Sequence, residues 1–173
     1  MRSMVAVDIA APAALVFDLA RDVERWPALL PHYLRVRIRE RHADGAVTAE
    51  MVAVRALLPW LGLGIPVAWR SRTWSERDPL RLRFVHSGGA TDGMDVTWRI
   101  VPTPSGCRVS IEHDFRPRYP AWGAVITRLF VRPIAARTLA TFRSIAEAVS
   151  NAAGAPAGAD AQSDHAPPSN TRV

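Results

Sequence analysis

The chain has 173 residues, 49% hydrophobic and 22% charged, which suits one domain with a buried core and leaves no room for a second of ordinary size. Its 22 basic residues are all arginine and face 16 acidic ones, so the formal charge is +6 and the surface is predisposed toward acidic partners. A lone cysteine, Cys107, excludes an internal disulfide framework and a thiolate metal cage; with no leader pattern and no run of about 18 apolar residues, the expected setting is the cytoplasm.

Met4 to Ile9 alternates weakly and predicts a first strand. Val16, Phe17, Leu19 and Ala20 then fall at helical spacing, with Asp18, Arg21 and Asp22 on the other side. Val23, Trp26, Leu29 and Leu30 repeat the pattern, and Pro27 and Pro31 limit its length, so two short helices are expected.

Leu34, Val36 and Ile38 alternate with Arg35, Arg37 and Arg39, and the Asp44-Gly45 turn signal leads into a further strand over Ala46 to Val54. Val67 to Glu76, Leu80 to His86, Met94 to Ile100 and Cys107 to Phe115 supply four more, for about seven antiparallel strands. Between them, residues 56–69 are apolar and broken by Pro59, Gly62, Gly64 and Pro66; this predicts a loop that acts as a cavity lid, as a peripheral membrane contact, or as a core or dimer contact.

From Pro120 to Val149 the period becomes helical: Ile126, Phe130, Ile134, Thr138, Thr141, Ile145 and Val149 trace one face, with a kink expected at Pro133. Residues 1–150 form the expected domain, and the Ala/Pro/Gly-rich residues 151–173 are expected to be disordered.

The stretch VFDLARDVERWPALLPHY, Val16 to Tyr33, resembles the opening of the START-like, helix-grip superfamily, which includes polyketide cyclases and coenzyme Q-binding proteins. The resemblance implies an α+β helix-grip fold, a curved antiparallel sheet wrapped around a long C-terminal helix with an internal cavity. Two further segments, Trp74 to Phe84 and Gly88 to Ile100, resemble bacterial aromatase/cyclases, which guide the folding of aromatic polyketides. That likeness implies a cavity hydroxyl at Tyr33. It also implies a cavity arginine whose position falls here on Ser75, so the arginine's role is not carried over.

Strand parity places Trp69, Ser71 and Thr73 on the inner face, with Phe84 and His86, Met94 and Trp98, and His113. Together with Trp26, His32, Ile126 and Phe130 these form the expected ligand wall, aromatic and apolar with a few polar points. Tyr33, His86 and His113 are the catalytic candidates, because ring closure of a poly-β-ketone needs proton exchange beside a polarised carbonyl. Each histidine has an alternative as a hydrogen-bonded structural residue, and the tryptophans as core.

The expected activity is cofactor-independent cyclisation and dehydration of a polyketide. The alternative is a non-catalytic lipid or quinone carrier. Arg35, Arg37, Arg39, Arg70, Arg72, Arg81, Arg83, Arg99 and Arg108 gather on the outer sheet face, either as cross-strand ion pairs or as a dock for an acidic acyl carrier protein. Nucleic acid is not an expected partner, dinucleotide and phosphate-loop motifs are missing, and no histidine spacing suggests a metal; the expected state is a monomer or a homodimer.

Overall fold

A computed structural model describes residues 1–58, 63–116 and 120–154. Strand β1 (Arg2–Ile9) leads into helix α1 (Ala13–Arg21), a 3₁₀ turn (Val23–Arg25) and the short helix α2 (Trp26–Leu29). Six strands follow: β2 (Tyr33–Arg41), β3 (Val47–Leu58), β4 (Leu63–Arg77), β5 (Leu80–Ser87), β6 (Met94–Thr103) and β7 (Gly106–Phe115). Helix α3 (Pro120–Ile126), a π-helical turn (Thr127–Val131) and helix α4 (Arg132–Gly154) complete the chain.

The strands form one antiparallel sheet in the order β1-β7-β6-β5-β4-β3-β2, so β1 and β2 are its two edges. Every neighbouring pair except β1 with β7 is joined by a hairpin, and β1 closes onto β7 from Arg2 opposite Asp114 to Ile9 opposite Cys107. Gly106 turns β6 into β7 at φ +142°; a Cβ there would lie 2.1 Å from the Ile9 carbonyl oxygen, so only glycine lets the hairpin close against β1.

Alternation decides which side chains enter the core. Met94, Val96, Trp98 and Ile100 of β6 and Cys107, Val109, Ile111, His113 and Phe115 of β7 are all buried, as their period of two dictates. Helix α4, rich in alanine and free of glycine and proline from Ile134 to Ala153, packs across this face. Glu147 on α4 accepts a hydrogen bond from the Ala10 backbone amide at 3.0 Å and so fastens the helix to the end of β1. Fully buried Phe142 and Leu139 project from α4 toward the sheet, each contributing about 2–3 kcal/mol by leaving water.

Several expectations need correction. The described ends of segment 56–69 are not a loop: β3 and β4 run on as a long hairpin, with Arg55 opposite Ile65 and Ala56 opposite Gly64. Mutual hydrogen bonding satisfies backbone that a loop would have to expose. In β2, a register shift between Tyr33 and Arg35 breaks the simple alternation. The extra residue leaves Leu34 60% exposed, while Tyr33 before it and Val36 after it both turn inward.

The buried face of the C-terminal helix is also rotated from the one expected. It comprises Val131, Ala135, Thr138, Leu139, Phe142 and Ala146, whereas Val149 is exposed. The expected row advances by four at every step but one, and each step of four drifts by about 40° on a helix of 3.6 residues, so the row leaves the core after a few turns. Helix α4 continues to Gly154, and residues 155–173, where the disordered tail is expected, lie outside the described residues.

The irregularity expected at Pro133 takes the form of the π turn just before it. The Arg132 amide bonds to the Thr127 carbonyl five residues back, and Pro133 has no N–H to offer the Leu129 carbonyl. Arg55 of β3 supplies the missing donor, its Nε lying 2.8 Å from the Leu129 oxygen.

Candidate functional site

Between the concave face of the sheet and α4 lies a cavity of about 70 Å³. It is bounded by α2 and the start of β2 at one end, by β3, β4, β5, β6 and β7 on the sheet side, and by the π turn and α4 on the other. Trp26 forms its floor. The Trp26 indole Nε1 donates to the Ala20 carbonyl at 3.0 Å, and its ring packs within 5.1–6.0 Å of Tyr33, Phe84, Trp98 and Phe142.

The polar points stand out against this wall. Tyr33, His86 and His113 all line the cavity. His86 stacks on Trp69 with centroids 5.7 Å apart, and its Nδ1 hydrogen-bonds Thr91 Oγ1 at 2.9 Å. His113 reaches Ser3 Oγ through Nδ1 at 3.4 Å. In both rings Nε2 is therefore the nitrogen left for a ligand.

The Trp69 Nε1 is buried without a partner, and indole N–H can only donate. A buried donor left unmade costs about 1–3 kcal/mol, which a carbonyl acceptor in the cavity would relieve.

Burial sets the protonation states. It depresses the pKa of His86 to about 3, aided by nearby His113, and depresses that of His113 to about 4 against a smaller opposing effect of Ser3. Burial pushes the Tyr33 phenol well above its ordinary value, partly offset by Thr138. At neutral pH the wall thus presents neutral imidazoles and an un-ionised phenol. Among the described residues no arginine, aspartate or glutamate lines the cavity, and no cluster of three or more histidine, cysteine or acidic side chains could hold a metal.

The other expected site residues divide. Trp26, Trp69, Phe84, Met94, Trp98 and Phe130 line the cavity. Ser71, Thr73 and Ile126 are buried but lie outside the lining, and Ser75 is exposed. His32 stands behind the wall: its Nε2 is 2.9 Å from Thr138 Oγ1, and Thr138 itself lines the cavity. Because Thr138 gives its own proton to the Ile134 carbonyl at 2.9 Å, it must accept from His32 Nε2–H.

Sequence reasoning missed Thr91 and Thr138 as site residues. Thr91 is brought to His86 by the 3₁₀ turn Gly89–Thr91, where Gly89 at φ +74° packs against the Ala68 carbonyl; the Gly88-Gly89 pair was the available signal. Thr138 lay on the predicted helix face, and only its proximity to His32 and Tyr33 distinguishes it.

An open antiparallel sheet gripping a long C-terminal helix, with two short helices after the first strand, defines the START-like helix-grip architecture. The chain belongs to the polyketide cyclase / dehydrase and lipid transport family, whose sequence profile matches residues 9–143. A Streptomyces cyaneus protein provisionally named a polyketide cyclase is 31% identical over 130 residues, 73% of this chain and 81% of that protein. The Zhui aromatase/cyclase of a Streptomyces species shares the fold at TM-score 0.72 and 20% identity, over 89% of this chain and 98% of that one. A START superfamily protein from Mycobacterium smegmatis does so at TM-score 0.60 and 16% identity, over 88% and 98%.

Proposed function

We propose that this chain is a cofactor-independent polyketide cyclase that receives a carrier-bound poly-β-ketone in its cavity and promotes ring closure and loss of water. The observation that supports this best is the set of neutral proton-sharing groups, Tyr33, His86, His113 and Trp69, on an otherwise aromatic and apolar wall. A free imidazole Nε2 takes a proton from a carbon flanked by two ketones. The resulting enolate carbon bonds to a second ketone carbon of the same chain, and that oxygen takes the proton back as a hydroxyl. Removal of a neighbouring proton and departure of the hydroxyl as water complete the new double bond.

Imidazoles with such depressed pKa values are weak bases, so confinement of the chain and hydrogen bonds to its carbonyls carry most of the acceleration. Tyr33, which keeps its proton, and Trp69 are the donors suited to that task. A cavity of about 70 Å³ is far below the roughly 300–1,000 Å³ of ordinary ligand sites, so the wall must part to admit substrate. The π turn, which carries Phe130 and Val131 at the cavity, is the element suited to move.

The second reading, a non-catalytic carrier of a quinone or lipid, draws support from the uncharged lining and from the same weak basicity. An acidic carrier protein fits the outer sheet face less broadly than its arginine content suggests. Arg72 pairs with Asp44 at 2.5 Å, Arg99 with Glu112 at 2.7 Å, Arg108 with Asp8 at 2.9 Å, and Arg39 with Glu50. Arg81 lies 3.9 Å from Glu76, so Arg35, Arg37, Arg70 and Arg83 are the cations left on that face for docking among the described residues.

The decisive experiment supplies the purified protein with a carrier-bound poly-β-ketone generated in situ and compares products with and without it. A shift from spontaneous products to one cyclised, dehydrated aromatic supports the cyclase. An unchanged mixture, together with an isoprenoid quinone or lipid found at near one-to-one occupancy by native mass spectrometry, supports the carrier.

A further inference from the structure

Where Val67 and Phe130 bring the cavity wall toward the surface, at its mouth, four of the ten exposed large hydrophobic side chains among the described residues gather. On the β3–β4 hairpin, Leu63 is 54% and Ile65 42% exposed; beside it on α3 and the π turn, Val125 is 41% and Leu129 52% exposed. The two elements adjoin, since Arg55, directly opposite Ile65 in the hairpin, reaches the Leu129 carbonyl. Ile65 precedes Val67 by two residues on β4 and Leu129 precedes Phe130, and both Val67 and Phe130 line the cavity. The exposed aliphatics therefore continue the cavity wall outward to the surface.

Charge follows the same boundary. Neither Met51 to Ser75 nor Phe115 to Ala146 contains an aspartate or glutamate, whereas the opposite end and the outer sheet face mix both signs. Arg128 and Arg132 are exposed on the same segment as Val125 and Leu129, Arg128 directly between the two aliphatics in the chain. Exposed aliphatics on two adjoining elements, flanked by Arg128 and Arg132 in segments without carboxylates, match the chemistry of a bilayer surface bearing anionic headgroups. Self-pairing about a two-fold axis would set this carboxylate-free, cationic patch against its own copy.

We propose that this end is a peripheral docking surface for an anionic lipid bilayer. Leu63, Ile65, Val125 and Leu129 enter the headgroup region, Arg128 and Arg132 engage the phosphates, and the cavity mouth opens toward the lipid. An oily ligand then passes between bilayer and cavity without crossing water, whichever chemistry the cavity performs.

The test is co-sedimentation of the full chain with vesicles of phosphatidylglycerol and phosphatidylcholine in equal parts, against vesicles of phosphatidylcholine alone. Binding to the mixed vesicles, lost in high salt and weakened more than about tenfold by Arg128→Glu with Arg132→Glu, is expected. Leu63→Asp with Leu129→Asp should abolish it while circular dichroism stays native. No binding to mixed vesicles overturns the proposal. So does binding that survives both pairs of changes but is lost in Arg81→Glu with Arg83→Glu, which would place the contact on the outer sheet face. Binding of an acidic protein that these mouth substitutions abolish, in a chain that ignores vesicles, also overturns it.

Discussion

His32 Nε2 and Thr138 Oγ1 lie 2.9 Å apart and tie the start of β2 to the middle of α4 behind the cavity wall. Thr138 spends its proton on Ile134, so His32 must be the donor, and its buried Nδ1 remains a bare lone pair. Burial, with Arg137 nearby, lowers its pKa from 6.5 to about 4. A base with a depressed folded pKa binds more protons when unfolded, so stability falls as pH drops from about 6.5 toward about 4 and levels below that. His86 and His113 act in the same direction. Urea midpoints measured across this window should fall steeply in the wild type and less steeply in His32→Gln.

Tyr33→Phe removes a donor but leaves the ring stacked edge-on against Trp26 at 5.1 Å. Stability should change by less than about 1 kcal/mol while the product distribution shifts toward uncyclised or misfolded polyketides. Chromatography of the in situ reaction, beside a thermal melt, checks both halves. His86→Ala should act similarly on products, with some loss of stability because Trp69 loses its stacking partner.

Arg55→Met keeps much of the side-chain volume but withdraws the donor that stands in for the missing amide of Pro133. Amides of Thr127 to Val131 should exchange faster with deuterium, and global stability should drop by about 1 kcal/mol. Uptake of a fluorescent aromatic probe should quicken if the π turn gates the cavity.

Filling and emptying the interior should have opposite signatures. Ala135→Phe projects from α4 into the cavity and should abolish binding of any ligand with little effect on the fold's integrity. Phe142→Ala, at a fully buried position packed on Trp26 and Trp98, should cost about 3–5 kcal/mol. Chemical denaturation and ligand titration of the two variants separate cavity from core.

Much of this was legible from the residues. Alternation located seven strands and assigned Trp98, Phe84 and His113 to the inner face, because a period of two survives wherever a strand is regular. It failed at Leu34, where one extra residue in β2 reverses parity, and at the β3–β4 hairpin, where glycine and proline within paired strands read as a loop. Ser71 and Thr73 are inward and buried yet miss the cavity, since facing the core does not determine where the core has space. Thr138 was invisible as a site residue because its importance rests on a partner 106 positions away in the chain, whereas Thr91, five residues from His86, was signalled only by the Gly88-Gly89 pair.

Strand β2 ends the sheet, and no described strand pairs along its outer side. Such a rim is a template on which another chain's strand can add, and from there a fibre can grow. Arg35, Arg37 and Arg39 stand along it, and the register shifts at both ends twist it out of flatness. A charged, irregular rim of this kind opposes edge-to-edge pairing, and replacing those arginines with valine should raise the rate of aggregation followed by light scattering.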